Sequence, residues 1–395
     1  MKILYHHRTR GRGAEGVHIR GVVKGLRQLG HHVQILSLPG AAPEDEEKMS
    51  APIPKKPKKA SFGARLLGFV NELTKYMPEI AFEMCELLFN VIAWRRLRKI
   101  VYKEKVDFIY ERYSLFMFIS VWWARRHCVP IILEVNDSCQ VDRVRPLCFK
   151  SLACRVEKMV FRNADGLVFI STRFKKIIEL AYGDIAPSVV SPNAVDLDIF
   201  VPDGGSGQRV RKKLDLHNKV VVGYVGAFVY WHGIDWFVEL IIDRLKEYPE
   251  LHLLLVGDGV CFNTIKSRVA AGKVESQVTM PGRVSHDEIP NYIEAMDFGV
   301  LPDSNDYGSS MKLFEFMAMG KGMVAPDFPP IAEVVKDREN SWLFPANDRN
   351  ACVDMVLSLV GDKAQQHLVG VNARSYIERE RQWRHNAEQI ITLLQ

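Results

Sequence analysis

YGSSMKLFEFMAMGKGMVAPDFPPIAEVV, residues 307–335, reads as a helix-to-strand unit: a Ser/Gly-rich lead, an apolar helix from about Met311 and a short strand in GMVAPD. Ser309 and Ser310 stand where N-caps stand, so the helix mouth offers backbone N–H groups and the positive end of its dipole. Lys312 adds a cation there. Glu315, one turn on, presents two acceptor oxygens suited to a cis-diol such as ribose O2 and O3. From the isolated helix two readings stay open: the pair holds a nucleotide, or, being i and i+3, it is a surface ion pair.

The same unit recurs along the chain. Short Val/Ile/Leu runs alternate with helix-period segments: KILYHH, HHVQILSL, VDFIYERY, VPIILEV, DGLVFIS, PSVVSPN, KVVVGYVGAF, LHLLLVGDG, SQVTMPGRV, DFGVLP and GMVAPD. That rhythm predicts α/β architecture, parallel sheets covered by helices, with ligands bound beyond the carboxyl ends of the strands. Around 186–213 the pattern breaks at Pro192, Pro202 and the Gly204, Gly205, Gly207 cluster. The domain boundary is placed just before Ser188, giving two doubly wound lobes, 1–187 and 188–375.

A chain of 395 residues suits two such domains, and 47% hydrophobic with 25% charged residues matches an ordinary globular protein. The opening MKILYHHRTR is too short for a signal-peptide core, and the longest near-apolar run, LFMFISVWWA, is half a bilayer span. A cytoplasmic protein is expected. Seven cysteines without a C-x-x-C pair signal neither zinc nor a disulfide framework. A net charge of +6 without aromatic and basic interleaving argues against nucleic acid as a partner. Between residues 40 and 105 the pattern differs: basic residues precede a stretch in which Phe62, Leu66, Phe69, Val70, Leu73 and Met77 share one helical face. It reads either as a core helix after a solvated loop or as a peripheral membrane contact through 55–77.

Two more loops resemble anion sites. Gly11, Gly13 and Gly16 satisfy G-x-G-x-x-G after the first strand. The acidic residue that a dinucleotide site needs after the second strand is missing from VQILSLPG, which disfavours NAD. In the second lobe His232 and Gly233 sit at the start of a helix, where His232 either donates to a phosphate or serves as a cap. Trp231 and Trp236 read as packing residues.

The segment SSMKLFEFMAMGKGMVAPDFPPIAEVVKDRENSWLFPAND resembles the donor-binding segment of family 4 retaining glycosyltransferases. Its ordered context does too: SPNAVDLDIFVP, GYVGAFVYWHGID, LLLVGDG and MPGRVSHDEIPNYIEAMDFGVLPD, with MKILYHHRTRGRGAEGVHIRGVVKGLRQLGHHV and VDFIYERYSLF in the first lobe. The resemblance covers nearly the whole chain except about 40–105. It implies a GT-B fold, two Rossmann-like lobes with an inter-lobe cleft, the second holding a nucleotide-sugar and the first on the acceptor side. The terminal helix within 376–395 would return to the first lobe.

By the resemblance, Glu315 binds the donor ribose and the backbone near Arg283 and Val284 pairs with the base. Gly13, Gly16 and their loop lie under the diphosphate, Ser309, Ser310 and Met311 supply N–H groups, and Lys312 helps neutralise the leaving group. Such enzymes need no cofactor and generally no metal; the donor, a UDP- or GDP-sugar, is a co-substrate, and the acceptor is a glycan or a lipid-linked glycan. Lys312, His232 and His18 are the candidate catalytic residues, with Arg20, Glu111, Arg112 and Asn136 as further cleft candidates. The family has two glutamates seven residues apart; here the first position is Tyr307. Its phosphate-loop Arg and Lys map onto Ala227 and His232, so positive charge has to come from elsewhere. Those two departures motivate an alternative, a non-catalytic nucleotide-sugar-binding or assembly protein; a nucleotide-sugar epimerase shares the fold.

Overall fold

The structure, a computed structural model, describes residues 1–9, 13–37, 78–101, 104–143 and 145–395. Gly11 and the basic stretch 55–77 lie outside the described residues. The chain divides into two α/β bodies, Met1–Pro192 with Trp383–Gln395, and Asn193–Gln382.

In the first body β1 (Lys2–His7), α1 (Ala14–Gln28), β2 (His32–Ser37), α2 (Glu79–Val101), β3 (Phe108–Arg112), α3 (Ile119–Arg126), β4 (Ile131–Val135), α4 (Lys150–Asn163), β5 (Gly166–Phe169), α5 (Thr172–Tyr182) and β6 (Ser188–Val190) follow in turn. The six strands pair in parallel in the order β2-β1-β3-β4-β5-β6. β4 is buried at every residue and β1 at all but its first, because a parallel sheet is covered on both faces.

The second body contains α6 (Ser206–Lys213), β7 (Val220–Val225), a 3-10 turn at Tyr230–His232, α7 (Ile234–Leu245), β8 (Leu251–Val256), α8 (Phe262–Gly272), β9 (Val278–Gly282) and α9 (Ile289–Glu294). It continues through β10 (Phe298–Val300), α10 (Met311–Ala318), β11 (Met323–Pro326), α11 (Pro329–Ala332), β12 (Trp342–Phe344), α12 (Arg349–Leu359) and α13 (Lys363–Glu380). Its parallel order is β12-β11-β10-β7-β8-β9. The eleven apolar runs of the sequence each supply one strand. β12 was not anticipated: at three residues it shows no alternation, and it is held by the fully buried ring of Trp342. Each sheet reverses its strand order once, at β1/β3 and at β10/β7, and the crevice beyond such a reversal is where open α/β sheets bind ligands.

Two boundary expectations are corrected. β6 hydrogen-bonds to β5 from Ser188 to Val190, so the first body runs to Pro192 rather than 187. The return to it begins at Trp383 rather than 376, because α13 belongs to the second body, where it packs on α10.

The terminal helix α14 (Trp383–Thr392) lies against α1. Its close approach needs small residues on α1: a Cβ on Gly21 would stand 2.1 Å from the Trp383 ring, and one on Gly25 would stand 2.2 Å from the Trp383 carbonyl oxygen. A side chain can rotate away, but a backbone carbonyl can move only with its helix. Gly25→Ala is therefore expected to lower stability by about 1 to 3 kcal/mol through overpacking, outweighing alanine's helix preference, and to lower the thermal unfolding midpoint. An unchanged or raised midpoint would show that α14 is free to shift.

Candidate donor site and first-body hollow

In the second body, α10 and the loop after β7 meet at the β10/β7 reversal. Gly226 has φ +147°, and a Cβ built on it would lie 2.3 Å from Lys312 Cε. The glycine therefore leaves the space through which Lys312 crosses the loop. Lys312 Nζ ends 3.2 Å from His232 Nδ1 and 3.4 Å from Nε2. His232 Nδ1 is also 3.0 Å from the Ala227 carbonyl, which accepts a hydrogen bond from the Tyr224 hydroxyl at 2.8 Å. Assigning the imidazole proton to Nδ1, facing Ala227, leaves Nε2 to accept from Lys312.

Burial and then the Lys312 charge lower the His232 pKa to about 4, so the ring is neutral near pH 7. Its contacts are those of a residue that positions Lys312, rather than of a cation or a helix cap. Gly233, in the left-handed region at φ +70°, turns the chain into α7, and the residue before it is fixed by the Asp303 N–H, which donates to the His232 carbonyl at 3.2 Å.

Glu315 is only 8% exposed, and its side-chain carboxyl accepts no hydrogen bond from any described residue. No ion pair within 4.0 Å joins it to Lys312. The surface-pair reading is thereby set aside: Glu315 is buried, and the two side chains do not meet in an ion pair. Burial raises the Glu315 pKa to about 7 against the opposing pull of Lys312, and burial lowers the Lys312 pKa to about 8 against Glu315.

The helix mouth differs from expectation. Ser310 occupies the N-cap position but its side chain makes no cap bond. Ser309 instead pins the lead to Asn193: its Oγ accepts from the Asn193 N–H at 2.9 Å and its carbonyl from Asn193 Nδ2 at 2.6 Å. The Met311 end of α10 thus stays without a side-chain cap. Tyr307 is half-buried beside Gly308, whose N–H donates to Asn305 Oδ1 at 2.5 Å. Arg283 and Val284 follow β9, Arg283 exposed and Val284 packed at the edge of the core. Trp236 is buried as expected, whereas Trp231 is exposed.

In the first body a hollow of about 230 Å³ opens beyond β1, β3 and β4, lined by Arg8, Glu15, Arg112, Asn136, Asp137 and Arg143 among others. Beneath it Glu134, fully buried on β4, accepts from Arg112, from Asn136 Nδ2 at 2.5 Å and from the Tyr5 hydroxyl at 3.1 Å, with His18 Nε2 standing 3.1 Å from the carboxylate. Burial works to raise its pKa, but His18, Arg112 and these bonds override it and hold the carboxyl well below the usual range. His18 is buried, with its ring edge-on to Trp383 at 5.0 Å. Glu111 is occupied by His6 at 2.5 Å. Gly13 is the exposed N-cap of α1, while Gly16 is buried inside its first turn, so Gly16 does not line a loop as expected. Sequence reasoning missed Glu134, Asn193 and Tyr224. A lone acid inside the apolar run VPIILEV was the signal for Glu134.

Residues 15–199 match the family model Glycosyltransferase Family 4, and residues 219–362 match Glycosyl transferases group 1. Both bodies match glycosyltransferase families. The full chain also superposes on HepE of Anabaena, solved with UDP, at TM-score 0.76 and 17% identity, covering 100% of this chain and 99% of that one. Sucrose-phosphate synthase of Thermosynechococcus elongatus gives TM-score 0.72 at 18% identity, over 100% and 98%. The fold is GT-B. Among sequence relatives are a glycosyltransferase of Methanocaldococcus jannaschii, 22% identical over 59% of each chain. A GDP-mannose-dependent phosphatidylinositol monomannoside mannosyltransferase of Mycolicibacterium smegmatis is 23% identical over 60% of this chain. The chain spans 59% and 64% of these two relatives' lengths.

If Lys312 and Glu315 hold a nucleoside diphosphate, their two pKa values set a pH window for it. Lys312 is charged below about 8 and Glu315 above about 7, so affinity is expected to peak between them. It should fall as pH rises through the lysine value and as pH drops through the glutamate value. Glu315→Gln should weaken binding by about 1 to 3 kcal/mol and flatten the acid limb, measured by calorimetry across pH. Unaltered affinity and an unaltered acid limb would remove Glu315 from the site.

Proposed function

We propose that the protein is a retaining glycosyltransferase that moves a hexosyl or N-acetylhexosaminyl group from a UDP- or GDP-sugar to a glycan or lipid-linked glycan in polysaccharide biosynthesis. The observation that carries this reading is the buried Glu315 carboxyl, one turn along α10 from Lys312, with no hydrogen-bond or ion-pair partner among the described residues. A buried acid left unpaired is costly, and a ligand diol repairs that cost on binding. The UDP complex of HepE and the GDP-mannose dependence of the mycobacterial relative support this donor class.

In this reading Glu315 holds the ribose, and the backbone at Arg283 and Val284 meets the base. Departure of the nucleoside diphosphate builds charge on the β-phosphate. The uncapped N–H groups at Ser310 and Met311, with Lys312 held over Gly226 by His232, are aimed at that charge and lower the barrier in a water-poor site. Lys312 supplies the cation that Ala227 and His232 do not. The leaving phosphate takes the acceptor's proton, so the reaction requires neither a dedicated protein base nor a metal. The first-body hollow, with His18 acting beneath it through Glu134, receives the acceptor. The protein works in the cytoplasm, and the stretch 55–77 gives a peripheral contact with the inner face of the membrane.

A thermal-shift screen of UDP, GDP, ADP and dTDP and their sugars, on wild type and Glu315→Ala, tests the donor assignment. One nucleotide class should stabilise the wild type alone; equal shifts in both proteins would move the site elsewhere. Turnover of the selected donor with an acceptor extract separates catalysis from binding. Lys312→Ala should abolish turnover, and His232→Ala should reduce kcat by about tenfold or more with a smaller change in affinity, because its support matters most as phosphate charge develops. Binding without any turnover would favour the assembly-protein reading, and donor consumption without an acceptor would favour an epimerase.

A further inference from the structure

Helix α2 is inverted. A surface helix ordinarily turns its apolar stripe to the core and its charges to water. On α2 the buried positions are Glu83, Glu86, Asn90, Ala93 and Leu97, three of them polar. They face inward because neighbouring loops need partners. Glu83 accepts from the Cys148 and Phe149 N–H groups at 2.6 and 2.9 Å, at the start of α4. Glu86 pairs with Arg8 after β1. Asn90 accepts from the Phe118 and Ile119 N–H groups, both at 3.0 Å, where α3 begins, and donates to the Phe116 carbonyl at 2.9 Å.

The outward stripe is apolar for three turns: Ile80 is 55% exposed, Met84 50%, Leu88 62% and Val91 47%. It then continues through exposed Arg95, Arg98 and Lys99. Of the helix's three acids, Glu83 and Glu86 are buried, and Glu79, its side chain 32% exposed, pairs with Arg145 at 3.7 Å. Exposed Trp122 on α3 and Phe149 before α4 belong to elements tied to α2 by these bonds. An apolar band with a basic end, its acids buried or paired, is complementary to a surface that is apolar in depth and negative at its face.

We propose that the outward face of α2 docks on an anionic phospholipid bilayer, with Ile80, Met84, Leu88 and Val91 entering the interface and the Arg95–Lys99 end meeting the headgroups. The inference stands on the burial pattern of α2 and uses neither the glycosyl-transfer reading nor the stretch 55–77. Among the described residues no helix is long and apolar enough to cross a membrane, and the docking described here is along the surface.

Flotation of the full-length protein with vesicles tests it. Vesicles of phosphatidylglycerol and phosphatidylcholine should carry the protein upward, and vesicles of phosphatidylcholine alone should carry much less. Met84→Glu/Leu88→Glu should lower partitioning by about tenfold or more, and Arg95→Ala/Lys99→Ala should weaken it several-fold and reduce its dependence on salt. Both variants should keep the wild-type unfolding midpoint and the nucleotide-induced shift, since neither touches the second body. Flotation unaffected by Met84→Glu/Leu88→Glu overturns the proposal, and if deletion of 55–76 then abolishes it, docking belongs to that stretch. A dimer in light scattering that the same variant dissolves, with no flotation of the wild type, overturns it in favour of a second copy on this face.

Discussion

The second body is organised around a cation that has little room. Lys312 passes over the loop after β7 only because residue 226 has no side chain, and its ammonium stops at a neutral imidazole. Tyr224, Ala227 and His232 form the short relay that sets the ring, and Asp303 secures the far side of the same turn. Glycine at 226 is thus a requirement of the site and not only of the turn. The arrangement places positive charge beside the loop after β7 although that loop itself contributes neither an arginine nor a lysine.

The first body shows the complementary solution, a buried negative charge surrounded by donors. Glu134 would be costly inside a parallel sheet without Arg112, His18, Tyr5 and Asn136, and with them it becomes a fixed floor for the hollow above β1, β3 and β4. Helix α2 works by the same logic at the rim. Glu83 and Asn90 complete the backbone groups of two loops and Glu86 pairs with the Arg8 side chain, and that demand leaves the helix's apolar side chains facing outward.

Much of the fold was legible because buried parallel strands announce themselves as uninterrupted apolar runs between helical segments. β12 was not, since three residues carry no period, and the boundary at Ser188 misplaced β6 because a strand beside a proline-rich crossing resembles the crossing itself. At the site, Lys312 and Glu315 could be named from their spacing, but their surroundings could not. Whether the pair was exposed or buried depends on residues far away in the chain, such as Gly226 and His232. Ser309 shows the same limit: its residue type predicted a cap, while the actual partner, Asn193, lies in the distant SPNAVD segment. The inversion of α2 was invisible to a reading that looks for apolar faces and assumes they point inward.

One helix carries both groups that meet the proposed donor, and the separation between them follows from helical geometry. Three residues advance about 4.5 Å along the axis of an α-helix. On the proposed reading α10 is a gauge: its first turn sets the step from a phosphate to a ribose, and neither end can be re-spaced without rebuilding the turn. Variation in which nucleotide or sugar is accepted then has to come from residues off this helix, at the base and sugar ends, while the length of the diphosphate bridge stays the quantity that the helix measures.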